Sequence, residues 1–491
     1  MKNENINKKR KPRPQVKKAG KGNGCPLYKK CGGCQLQNMT YEEQLSFKQA
    51  KSIKALSKFG FVEEIKGMEN PYHYRNKVQA AFGQTRGGKI ISGVYQSSSH
   101  NIVLVDECMT EDVTADKIIV DIRKMLPQFK LLPYNEDTGK GFLRHVLVKR
   151  GFSTNEVMVV LVTGSALFPK KNEFLKKLLS LHDEITTVVQ NVNGSKTSLV
   201  LGEKEIVLYG EGYIEDILCG KRFRISPKSF YQINPIQTEY LYSTAMDFAG
   251  LTGKETVLDA YCGIGTIGLV ASDNAKQVIG VELNPDAVRD AKINAKINGA
   301  KNIRFFCADA GKFMVEAAKE NERVEVVFMD PPRAGSDINF LKSVVTLSPD
   351  KVVYISCNIE TQARDLTYLC KNGYKVKKIQ PVDMFPHTGH IETVVLLSQR
   401  RPDTHIDIKF DLSELDITAA ETKATYQEIK DYVLEKHGLK VSTLYISQVK
   451  TKCGIIEREN YNKGKEGHRV PQCPKEKEEA IMDALKHFKM I

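Results

Sequence analysis

The chain has 491 residues, 41% of them hydrophobic and 27% charged; at about 150 residues per domain this suggests roughly three domains with real cores and excludes wholesale disorder. No apolar run approaches the roughly 18 residues that span a bilayer, and the basic N-terminus lacks the apolar stretch of a signal peptide, so a cytoplasmic setting without a membrane partner is expected. Eleven cysteines in such a chain point to metal ligation or catalysis rather than a disulfide framework.

The net charge of +14 is concentrated at the front, where residues 1–34 hold eleven Lys or Arg against Glu4 alone. Residues 1–24 read as a disordered basic arm, which gains free energy near a polyanion by releasing counterions and so favours a nucleic-acid partner. Residues 25–71 bring Cys25, Cys31 and Cys34 and then a helix over 41–58, with apolar residues at three- and four-residue steps. With Cys108 downstream, four thiolates are present that suit either tetrahedral zinc or an iron–sulfur cluster. Over 72–236, β-branched runs such as HVLVKRGF and EVMVVLVTG predict a mostly antiparallel sheet with a few helices. Arg75, Lys77, Arg144, His145 and Lys149 stand there among Tyr72, Tyr74 and Phe142 as candidate RNA contacts. Over 237–399, strands alternate with helices, which predicts an α/β domain with a doubly wound parallel sheet and ligands at the carboxyl ends of its strands. Residues 400–491 read as a small α+β extension. It has a strand-like HIDIKFDLSELD, a helix from Ala424 to His437, a strand-like STLYISQV and a helix opened by Pro474.

The candidate chemistry falls at strand ends in 237–399. Gly263, Gly265 and Gly268 form a GxGxxG after a strand, and Glu282 ends the next strand, where a carboxylate can accept both ribose hydroxyls of a nucleoside. A dinucleotide and S-adenosylmethionine both fit that geometry. Asp309 follows the third strand, placed either to reach an adenine amino group or to cap the next helix. Asp330 opens DPPRAG, where two prolines make a stiff turn that fixes the carboxylate. Cys357 ends the strand KVVYISCN, and the helix N-terminus after it is expected to favour the nucleophilic thiolate. Glu392, just before an apolar strand, is a candidate general base.

Taken together, FYQINPIQTEYLY (230–242), LDAYCGIGTIGL (258–269), MDPPRAG (329–335), YISCN (354–358), DMFPHTGHIETVVLL (383–397) and the four cysteines resemble the S-adenosylmethionine-dependent RNA uracil-C5 methyltransferases, over roughly residues 25–398. The resemblance implies a Rossmann-like class I methyltransferase domain that binds its cofactor through Gln232, Tyr261, Glu282 and Asp330. It makes Cys357 the nucleophile, Glu392 the proton acceptor and Cys25, Cys31, Cys34 and Cys108 the ligands of a [4Fe–4S] cluster. Phe230 is then placed to stack on the target base, and Asp330 to lie near the uracil edge as well. The substrate implied is RNA, ribosomal in the first instance and the T-loop of transfer RNA in the second, with no obligate protein partner. A nicotinamide-dependent oxidoreductase would leave DPPR, YISCN and the cysteines unexplained. An amino-group methyltransferase needs no nucleophilic cysteine, and a non-catalytic RNA-binding protein needs none of these site residues. One departure stands out: many relatives carry a small β-barrel before the cysteines, whereas here only the basic arm precedes Cys25.

Overall fold

The computed structural model describes residues 24–96, 99–197, 199–320, 322–399, 426–453, 472–488 and 490. The basic arm and the strand-like 405–416 segment lie outside the described residues. Two compact units divide the chain, 1–402 and 403–491. No helix among the described residues is long and apolar enough to cross a membrane.

The larger unit opens with a one-turn helix α1 (Tyr28–Cys31) and then α2 (Tyr41–Leu56). The start of α2 is fixed by a reciprocal cap. Thr40 Oγ1 accepts from the Glu43 N–H at 3.3 Å, and Glu43 Oε2 accepts from the Thr40 N–H at 2.9 Å, satisfying two otherwise orphaned donors.

A seven-stranded sheet follows: β1 (Lys77–Gln84), β2 (Ile90–Tyr95), β3 (Ile102–Leu104), then helix α3 (Val113–Gln128), β4 (Leu143–Arg150), β5 (Val157–Thr163), helix α4 (Lys171–Leu181), β6 (Ile185–Val192) and β7 (Lys204–Tyr209). Its order is β3-β2-β1-β4-β5-β6-β7, antiparallel except where α4 carries the chain over from β5 to β6. This agrees with the mostly antiparallel expectation. Because successive side chains of a strand point to opposite faces, the apolar residues of the central strands feed two cores. Val146, Val148, Val159 and Leu161 pack with α3, while Leu147, Met158, Val160 and Val162 join the core on the other face. A hairpin, β8 (Ile214–Leu218) and β9 (Lys221–Ile225), and helix α5 (Pro235–Ala249) complete that second core.

The second large sheet comprises β10 (Thr256–Ala260), α6 (Thr266–Ala271), β11 (Gln277–Glu282), α7 (Pro285–Ile297), β12 (Ile303–Cys307), α8 (Ala310–Lys319), β13 (Val326–Met329), α9 (Ile338–Leu347), β14 (Lys351–Ser356), α10 (Ile359–Lys371), β15 (Tyr374–Val382) and β16 (Glu392–Gln399). The order is β12-β11-β10-β13-β14-β16-β15. Chain order reverses between β10 and β13, which opens a crevice at their carboxyl ends. The sheet is not wholly parallel as expected: β16 runs antiparallel to both β14 and β15. The connection from β15 is a turn with no crossover helix, and so short a link can only return antiparallel.

The smaller unit packs α11 (Tyr426–His437), α12 (Thr443–Lys452) and α13 (Lys475–His487) around Ile429, Val433, Ile446, Val449, Ile481 and Leu485. The segment STLYISQV is therefore helical, not a strand. Ser442 accepts from the Tyr445 N–H as an N-cap, and Ile446 and Val449 share a buried face at helical spacing, which outweighs the β-branched composition.

Candidate functional site

Asp259, near the end of β10, is fully buried, and its Oδ2 accepts from the Gly268 N–H at 2.7 Å. Burial first, with Asp330 and Glu282 adding to it, pushes this carboxyl up to about 8. Its Oδ1 has no partner among the described residues. The glycines of the loop differ in what they do. A Cβ at Gly265 (φ +83°) would lie 2.7 Å from Phe305 Cζ, so that glycine is needed for packing, whereas a Cβ at Gly263 (φ +54°) would meet nothing within 4 Å. The open side of the loop is therefore over Gly263. Glu282 closes around it: Oε2 accepts from the Gly263 N–H at 3.1 Å and Oε1 from the Asn284 N–H at 2.8 Å. Gly263, Glu282, Asn284, Ser229, Phe230 and Asp290 are among the residues lining a cavity of about 330 Å³.

Tyr261 and Asp309 line a second cavity, of about 410 Å³, beside α8 and α9. Tyr261 takes a left-handed conformation (φ +65°), and its ring lies 4.9 Å from that of Phe340. Burial above all pushes its phenol up to about 12. Asp309 Oδ1 accepts from the Lys312 N–H at 2.9 Å, so of its two expected roles the helix cap is the one realised. Gln232 is buried on the segment between β9 and α5 and lines neither cavity, while Phe230, two residues earlier, is 62% exposed. The structure thus brings Glu282 and Phe230 together and sets Tyr261 and Asp309 on the other flank of the glycine loop.

The reversed strand β16 makes the third feature. Its register pairs Ser356 with Thr393, so Cys357 and Glu392 are the next residues along the two chains, and the Glu392 carboxylate acts electrostatically on the Cys357 thiol. Cys357 is half-buried and opens on a cavity of about 210 Å³ with Lys51, Arg333, Asn358, Glu360 and His390. Asn358 caps α10, accepting from the Glu360 N–H at 3.1 Å. Burial, then the Glu392 and Asp330 carboxylates, push Cys357 up to about 11, and Arg333, which hydrogen-bonds the thiol, offsets only part of this. Glu392, 4% exposed, is held well above the usual carboxylate range by burial and then by Asp330, again moderated by Arg333. Burial raises Asp330 to about 7. Arg333 is the residue that sequence reasoning missed. It stands in DPPRAG, and the signal was a cation fixed by the same stiff turn as Asp330.

The turn between β15 and β16, which leads into Glu392, is bolted to α2. Lys48 and Asp383, both fully buried, pair at 2.5 Å, and Lys48 Nζ also donates to the Phe385 carbonyl at 3.0 Å. The His387 N–H donates to Gln44 Oε1 at 2.9 Å, and its ring lies within hydrogen-bond distance of Gln44 Nε2 and the Pro71 carbonyl. The Leu36 N–H donates to the His387 carbonyl at 3.0 Å. His387 is thus a structural residue.

Cys25, Cys31 and Cys34 flank α1. The Cys34 thiol is raised by burial and senses both of the others, while Cys108 is pushed up to about 11 by burial and then by Glu111. Among the described residues, no three His, Cys, Asp or Glu side chains are gathered as a metal site. Of the basic residues expected to face RNA, Arg144, His145 and Lys149 do not do so. Arg144 is buried, donating to the Asn193, Ser195 and Thr197 carbonyls. His145 is buried, and Lys149 donates to the Ser226 and Ser229 carbonyls at 2.8 and 2.9 Å. Their charge is spent inside the fold.

Residues 40–400 match the family model described as tRNA (uracil-5-)-methyltransferase. The chain belongs to this family. A protein of Clostridium acetobutylicum described as an uncharacterized RNA methyltransferase is 46% identical over 382 residues, 76% of this chain and 83% of that protein. One of Halalkalibacterium halodurans with the same description is 44% identical over 378 residues, 76% of this chain and 82% of that one. Among solved structures, the Pyrococcus abyssi tRNA (uracil-54, C5)-methyltransferase in complex with S-adenosyl-L-homocysteine aligns with a TM-score of 0.62 at 29% identity, over 74% of this chain and 85% of that one. This family member is accordingly an RNA methyltransferase.

Proposed function

We propose that the enzyme transfers a methyl group from S-adenosylmethionine to C5 of a uridine in RNA through a covalent adduct on Cys357. The observation that supports the reading is the β14–β16 register, past whose last pair Cys357 and Glu392 follow on the two chains, with Arg333 acting electrostatically on both. The donor set suits the cofactor. Glu282 keeps lone pairs free after its two backbone bonds, the space over Gly263 is open, and Gln232, Tyr261, Asp309 and Asp330 are the further cofactor contacts that the sequence nominates. Bound there, S-adenosylmethionine supplies an electrophilic sulfonium methyl.

Cys357 adds as thiolate to C6 of uracil, making C5 electron-rich enough to accept the methyl. Glu392 then takes the C5 proton, and elimination at C6 restores the ring and frees the thiolate. Arg333 steadies the anionic thiolate before attack, and Asp330 holds the uracil edge. The target base must leave its stack to reach the thiol, and Phe230 offers a replacement ring to stack upon.

We further propose, on the resemblance, that Cys25, Cys31, Cys34 and Cys108 would hold a [4Fe–4S] cluster, although among the described residues they are not gathered as a metal site. Support comes from the donor chemistry of four thiols and from the electrostatic proximity of Cys34 to Cys31 and Cys25. Such a cluster would hold the segment that contacts the His387 turn. Ribosomal RNA is the substrate we favour, with the transfer-RNA T-loop as the second reading, favoured by the Pyrococcus neighbour. Mapping 5-methyluridine in both RNA classes from a strain lacking the gene tests this: one or two ribosomal positions should lose their methyl group. Loss confined to the T-loop would establish the second reading, and loss at neither would refute both.

A further inference from the structure

Lys51 is the residue that α2 contributes to the wall of the Cys357 cavity. Its side chain is 41% exposed and lies 3.7 Å from the carboxylate of Glu360, itself 73% exposed. A pair of this kind contributes little and is easily exchanged. The mount, by contrast, is rigid. One turn away Lys48 is locked into the buried pair with Asp383, and Gln44 holds His387. Across the cavity, His390 is held below the usual imidazole range by burial and then by the positive charges of Arg333, Lys48, Lys51 and Arg75. Lys48 is balanced by Asp383, which leaves Lys51 and Arg333 as the cations of the cavity wall.

A pyrimidine nucleotide in the anti conformation carries its C6 edge on the same side as its own 5′ phosphate. Any group poised to attack C6 therefore has that phosphate close by. We propose that Lys51 binds the 5′ phosphate of the target uridine, exchanging Glu360 for it, with the charge of Arg333 behind. The inference rests on the uracil-C5 reading of this site and adds to it the residue that seats the nucleotide's backbone. A cation held by a rigid helix positions the substrate rather than reading its sequence.

The test uses full-length enzyme and the RNA that the wild type methylates. Lys51→Gln should raise the KM for RNA by about tenfold, the size expected for one charge-assisted contact. It should also lower the slope of log KM against log salt by about 0.7, the release expected for one phosphate on a single strand, with the effect falling on KM rather than kcat. Lys51→Arg should keep most of the affinity, and Glu360→Gln, which frees Lys51, should lower KM. A wild-type KM and salt slope for Lys51→Gln, or a raised KM for Glu360→Gln, would overturn the inference while leaving the activity standing. A wild-type enzyme that places no methyl group on uridine C5 would overturn the reading of the site, and this inference with it.

Discussion

Replacing Lys48 by Met is the most direct perturbation of the frame that holds Glu392. Both members of the Lys48–Asp383 pair are fully buried, and Asp383 Oδ2 also accepts from the Tyr41 hydroxyl at 2.9 Å. Burial pulls the Lys48 ammonium below its usual range, and Asp383 restores part of it. Met keeps the length of the side chain and removes the charge, leaving a buried carboxylate with one hydroxyl donor. Breaking a buried pair from one side costs about 3–5 kcal/mol, because the remaining charge is uncompensated. Asp383→Asn should cost a similar amount from the other side, while Lys48→Met with Asp383→Asn should cost less than the sum by about 2 kcal/mol. The chain has no tryptophan, so urea unfolding is followed by far-UV circular dichroism, with methyl transfer measured in parallel. The single variants should lose kcat together with stability, since the turn between Asp383 and Glu392 loses its anchor. Additive costs in the double variant, or single costs below about 1 kcal/mol, would show that the pair does not secure this turn.

Cys357→Ala should abolish turnover while retaining S-adenosylmethionine binding by calorimetry; substantial residual methylation would remove the covalent route. Glu392→Gln should slow turnover by about 10²–10⁴-fold, the usual range for a lost general base, and accumulate a protein–RNA adduct that survives denaturing gels. Cys357 titrates at about 11 and Glu392 well above its usual range, and the reactive form of each is the deprotonated one. The kcat/KM should therefore climb by about tenfold per pH unit where the thiol alone limits, rising through neutrality rather than falling. Arg333→Met removes the cation that favours the thiolate, so it should lower kcat/KM and move the alkaline limb to higher pH; an unchanged profile would detach Arg333 from the thiol.

Much of the site could be read along the chain because the reactive residues follow apolar strands. Glu282, Asp330 and Cys357 each close a β-branched run, and Gly263 to Gly268 mark the first loop unaided. Three things could not be read. The pairing of Cys357 with Glu392 depends on β16 running backwards, which neighbouring residues do not announce. The thiol's environment depends on burial and on two carboxylates, Asp330 and Glu392, that stand far from it along the chain. Arg144 and Lys149 look like RNA contacts in a basic sheet, but their carbonyl partners lie between 49 and 80 residues further along the chain. The helix at Thr443–Lys452 was misread because a β-branched run of that length suits either period until its neighbours are known.

The backward course of β16 has a further consequence. It enters the sheet at the rim where the parallel strands leave, so it offers its first residue to the substrate while they offer their last. Slipping its pairing by a single step would carry the carboxylate about 3.4 Å along the rim and turn it to the opposite face. Proton removal is in that sense an internal gauge of alignment: a molecule that completes it has zipped its final strands in frame.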